Sequence, residues 1–76
     1  MRKLSKTEVL GFRNSKNKVD LINFLSNFNN KVYRVDTTNK TTGEGTYDLY
    51  ESSLNDSFDL AFKLGIKPVH VERLKA

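Results

Sequence analysis

The chain contains no cysteine and a single histidine, His70, so neither a disulfide framework nor a thiolate-rich or multi-histidine metal site can staple it. That restriction bites because 76 residues lie near the lower limit for a self-supporting core. Stability must come from side-chain burial, here from five phenylalanines, three tyrosines and the aliphatics. The expected organisation is one α+β domain spanning residues 1–76. No apolar run approaches the roughly 20 residues of a membrane span. The basic start MRKLSKTEVL lacks the apolar core of a secretory signal, so the expected location is cytoplasmic.

Residues 15–30, SKNKVDLINFLSNFNN, carry the clearest helical pattern. Ser15 is the expected cap, and Val19, Leu21, Ile22, Leu25 and Phe28 recur on one side, with Phe24 widening the stripe. Asn29 and Asn30 supply a stop. Residues 31–37 and 46–52 alternate and are rich in β-branched and aromatic side chains, which predicts two strands. Between them TTNKTTGEGTYD reads as a hairpin loop. Ser53 to Asp56 then opens a second helix, with Phe58, Ala61, Phe62 and Leu64 as its apolar positions. Gly65 should end that helix in the left-handed conformation, with Ile66 folding back toward Ala61, and Pro68 prevents continuation. Val69, Val71 and Leu74 in KPVHVERLK suit a final short strand.

The N-terminal run KLSKTEVLGFR admits two readings. As a strand it sets Leu10 and Phe12 on one face and Val9 on the other. As a helix it has a capping box, Ser5 to Glu8, but Gly11 in its interior. The strand reading gives β-α-β-β-α-β, the ferredoxin-like pattern: a four-stranded antiparallel sheet in order 4-1-3-2 with two helices on one face and the other face open. The alternative is α-α-β-β-α-β with a three-stranded sheet.

Four features bear on function. Gly43-Glu44-Gly45 leads into a strand with no GK[ST] or GxGxxG, and Glu44 repels anions, so a turn is expected there and not a phosphate cradle. His70 has no nucleophile set in its sequence neighbourhood. Asp48, Glu51, Asp56 and Asp59 do not match calcium-loop spacing. The open sheet face is the most informative feature, since its expected residues Arg13, Arg34, Tyr50 and His70 combine guanidinium planes with an aromatic ring. Lys40 in the hairpin loop borders that face. These five residues are the partner-binding candidates; no catalytic, cofactor or metal residue is expected.

The net charge of +4 is unevenly spread. Residues 1–18 hold Arg2, Lys3, Lys6, Arg13, Lys16 and Lys18 against Glu8 alone, while residues 44–59 hold five carboxylates and no base. Such polarity fits an acidic protein or a nucleic acid as partner. The run ESSLNDSFDLAFKL followed by VHVERLKA resembles the strand-helix-strand tail of small phage host-takeover proteins. It covers about the last third of the chain and rests on a capping box, an amphipathic helix and a short strand. The resemblance implies a small protein that acts by binding and carries no functional residue across. The expectation is a non-enzymatic protein that docks on and modulates a partner protein, as a phage-type inhibitor does. The alternative is a single-stranded nucleic-acid binder, and homodimerisation through an edge strand is a further expectation.

Overall fold

A computed structural model of the protein describes residues 1–38 and 45–75. The first strand, β1, is only Arg2–Lys3. Two helices follow, α1 (Lys6–Arg13) and α2 (Lys18–Leu25), then the long strands β2 (Lys31–Thr38) and β3 (Gly45–Ser52). Helix α3 (Ser57–Leu64), a 3-10 turn at Pro68–His70 and β4 (Val71–Arg73) complete the order. The strands form one antiparallel four-stranded sheet in the order β1-β3-β2-β4.

The N-terminal run is therefore mostly helix, and the 4-1-3-2 order is replaced. Local chemistry explains the change. The Glu8 amide donates to Ser5 Oγ (3.3 Å) and the Ser5 amide to Glu8 Oε1 (2.9 Å), completing the capping box. Arg2 reinforces it with a two-pronged contact on the Glu8 carboxylate, 2.9 and 3.0 Å, and reaches Glu51 across the sheet at 3.2 Å. Gly11 costs the helix about 1 kcal/mol relative to alanine. It also lies where α1 meets α2: a Cβ there would stand 3.4 Å from the Phe24 ring. Val9 and Phe12, three apart on a helix, both turn inward, while Leu10 is exposed.

The helix expected over residues 15–30 is shorter, spanning Lys18–Leu25. Asn17, not Ser15, is its cap, accepting the Asp20 amide at 2.9 Å, while Ser15 Oγ donates to the Gly11 carbonyl and closes α1. Phe24 is the buried residue of α2, with Leu21, Leu25 and Phe28 packed beside it. Val19 and Ile22 face outward instead.

Both faces of the sheet are covered, which removes the expected open face. Tyr33, Val35 and Val71 pack against Leu60 and Ala61 of α3. Val32 and Leu49 pack with Leu4 and Phe24 under α1 and α2. Successive residues of a strand point to opposite faces, so the buried pair Val32–Tyr33 serves both layers at once. Tyr33 is wholly buried and its hydroxyl donates to the Leu54 carbonyl at 2.7 Å; burial pushes its phenol pKa up.

Helix α3 ends as expected. Gly65 adopts φ 70°, and the Ile66 amide donates to the Ala61 carbonyl at 3.0 Å. Its start is capped by Asp56. Its inward face keeps the expected Ala61 and Leu64 but adds Leu60, whereas Phe58 and Phe62 turn outward, 66% and 90% exposed. The final segment begins as a 3-10 turn, with Pro68 fixing its first residue and Val69 exposed, before Val71 enters the sheet.

Candidate functional site

The strand register decides which candidate residues meet. Tyr33 lies opposite Tyr50, Arg34 opposite Leu49 and Asp36 opposite Tyr47. Tyr50 thus shares the face of Tyr33 and packs against the core beneath α3. It is removed from Arg34, which lies on the α1–α2 side with Tyr47. His70 sits exposed in the 3-10 turn that leans on α3, away from Arg13. Lys40, with Gly43 and Glu44 of the hairpin loop, lies outside the described residues. The pairing of Thr37 with Thr46 and Thr38 with Gly45 shows the hairpin that this stretch closes.

Two of the five candidates do come together, around Tyr47. The Arg34 guanidinium carbon stands 4.4 Å from the Tyr47 ring centre, and that of Arg13 stands at 5.5 Å. Arg13 Nε also donates to the Tyr47 hydroxyl at 3.3 Å. Phe12 meets the same ring edge-on, 5.8 Å between centroids, and itself packs on Phe24 at 5.9 Å. Each guanidinium on a ring face contributes on the order of 0.5–1 kcal/mol at an exposed site. Arg34 is further set by Asp36, 2.8 Å from its Nε. Arg13 has no carboxylate partner among the described residues.

Beside this cluster runs an open groove of about 480 Å³ at the junction of α1 and α2, lined by Phe12, Arg13, Lys16, Lys18, Tyr47 and Lys75, with no carboxylate among its lining residues. A second groove shares Arg13 and Tyr47 and adds Lys3 and Lys6; there Lys3 Nζ stands 3.6 Å from Asp48. The six cations of the N-terminal charge excess, less Arg2, therefore border two grooves on either side of one arginine–tyrosine contact. Such a surface draws anions by summed potential and offers flat π-faces beside them.

The link between α1 and α2 makes this possible. Breaking the helix at Asn14–Asn17 turns Lys16 and Lys18 toward Arg13 and Lys75; a continuous helix from residue 15 would distribute them around its circumference. The sequence signal was the close spacing of Arg13, Lys16 and Lys18. Tyr47 gave none, because its alternation with Leu49 assigns it to the core, and it is indeed partly buried against Leu49 and its neighbours.

No group of histidine, cysteine or carboxylate side chains able to hold a metal ion occurs among the described residues. No helix among them is long and apolar enough to cross a membrane. The chain matches no protein-family model, and no curated protein or solved structure shows significant similarity to it.

Proposed function

We propose that the protein is a non-enzymatic binding module that takes a single-stranded nucleic acid along the α1–α2 groove. The observation that carries this reading is the lining of that groove: Arg13, Lys16, Lys18 and Lys75 with Phe12 and Tyr47, and no carboxylate. Phosphates pair with the lysines, while the guanidinium planes of Arg13 and Arg34, held against Tyr47, offer surfaces for base stacking. The lining groups, ammonium, guanidinium and phenol side chains with an aromatic ring, suit the binding of an anionic, base-bearing chain.

Fluorescence anisotropy with a labelled single-stranded oligonucleotide tests the reading. Binding is expected at low salt, with log K falling against log salt with a slope of about −2 to −3, as three or four phosphate contacts require. The double variant Lys16→Glu, Lys18→Glu should weaken binding by roughly tenfold or more and flatten that slope by about 1 to 2. No binding at low salt, or binding that ignores both salt and the charge reversals, overturns it. Docking on a partner protein is a second reading, favoured by the exposed Phe58 and Phe62 on the other side of the molecule. It predicts that parent protein pulls down a partner after nuclease treatment and that Phe62→Ser loses it.

A further inference from the structure

Helix α3 has a second apolar stripe that the fold does not use. Its inward face is filled by Leu60 and Ala61, whereas Phe58 and Phe62, four residues apart and so stacked one above the other, face away from the sheet. Val69, on the 3-10 turn packed against the same helix, is 81% exposed. Asp59 and Lys63, also four apart and exposed, run along one flank of the phenylalanine stripe. Neither enters an ion pair among the described residues. Charge is thus ordered along the helix, with Asp56 and Asp59 at its start and Lys63 and Lys67 at its end.

We infer that this face is the interface of a two-fold homodimer in which α3 packs antiparallel on α3 of a second copy. A two-fold axis perpendicular to both helices keeps each flank on its own side and reverses its direction. Phe58 then meets the partner's Phe62, and Asp59 faces the partner's Lys63, twice over by symmetry. A parallel pairing would instead bring the two acidic helix starts to one end and the two basic ends to the other and leave Asp59 without a facing lysine, which disfavours it. Edge-strand pairing is the poorer route to a dimer: β1 and β4 are two and three residues long, and they carry Arg2, Lys3, Glu72 and Arg73, features that blunt a sheet edge. An eight-residue helix presents only about 12 Å of length, so the interface is small and the dimer is weak and concentration-dependent.

Sedimentation equilibrium from about 10 μM to about 1 mM, the range in which small interfaces associate, is the test. The parent should pass from monomer toward dimer and should do so in high salt as well, where the nucleic-acid groove is silenced. Phe62→Ser, at a position 90% exposed and therefore harmless to the fold, should remain monomeric. Asp59→Lys alone and Lys63→Asp alone should each weaken self-association at low salt by roughly tenfold, from like-charge contacts. Mixed together they should associate with each other, because the two reversed partners are complementary. A parent that stays monomeric throughout, a Phe62→Ser variant that dimerises like the parent, or a mixture no tighter than its components overturns the inference.

Discussion

The two sides of the sheet are filled by opposite choices. Beneath α3 the inward positions are Leu60 and Ala61, and the phenylalanines of that helix face out. Beneath α1 and α2 three rings, Phe12, Phe24 and Phe28, pack on one another beside Val9, Leu21 and Leu25, and lysines line the outer surface. The outcome is one apolar outer surface and one cationic outer surface on opposite sides of a small sheet, so aromatic content by itself does not mark the core.

Truncations of a buried ring, a buried aliphatic and an exposed ring should separate the two sides by stability. Phe24→Ala, which removes the buried ring shared by α1 and α2, should cost about 3–5 kcal/mol, and Leu60→Ala about 2–5 kcal/mol. Phe62→Ala should change stability by no more than about 0.5 kcal/mol, since an exposed side chain loses little on truncation. Urea denaturation of the three variants reads all of this. A Phe62→Ala loss comparable to that of Leu60→Ala would mean that α3 is rotated on the sheet and that the two sides are filled alike.

How much of this was legible in the sequence follows from where local signals outrank packing. The hairpin pairing was legible because residues 31–37 and 46–52 alternate over many positions, and the register confirms their ends to within one residue. The Gly65 stop was legible because a left-handed C-terminal residue favours glycine so strongly. The N-terminal helix was obscured by Gly11, whose intrinsic cost is a local property, whereas its benefit, the approach of Phe24, is tertiary. The face of α3 was obscured because Phe58, Phe62 and Leu60 all score as apolar. Only the partners on the sheet distinguish them. The sign that both faces are covered was present in the adjacent apolar pairs Val32–Tyr33 and Leu49–Tyr50, which a sheet with one open face does not need. Of the binding candidates, Arg34 shares the face of Tyr47 because Tyr47 pairs with Asp36, two residues on, and Arg13 reaches the same ring from α1, while Tyr50 is one residue out of phase and falls on the other side.

A smaller effect separates the two helix ends. Gly65→Ala places a Cβ in the left-handed region at φ 70°, where space is open but backbone strain costs about 1–2 kcal/mol. Gly11→Ala meets the opposite situation: helix propensity gains about 1 kcal/mol, offset by a Cβ at 3.4 Å from Phe24 that the ring must accommodate. Thermal unfolding should therefore show a clear drop for the first and a near-neutral result for the second. A large drop for Gly11→Ala would show that the α1–α2 contact is as unyielding as the buried core.

The smallest expected effect lies at the capping box and is visible through pH. The paired donors of Arg2, with the Ser5 amide, hold the Glu8 carboxyl at about 2 against its ordinary 4.5, outweighing the partial burial that pushes it up. Because the folded value is the lower one, the contribution of Glu8 to stability is fully present above about pH 4.5. It declines as acid is added and is lost as pH falls through about 2. The Arg2 side chain is 51% exposed and that of Glu8 28%, so the gain is modest and is screened by salt. Glu8→Gln should lower the urea midpoint near neutral pH, and the gap between variant and parent should close on acidification toward about pH 2. On the α3 side the N-cap carboxylate Asp56 accepts the Asp59 amide at 2.9 Å without an arginine partner among the described residues. If the Glu8→Gln gap stays constant with pH, the arginine is not what anchors α1, and the helix would then rest on Val9 and Phe12 alone.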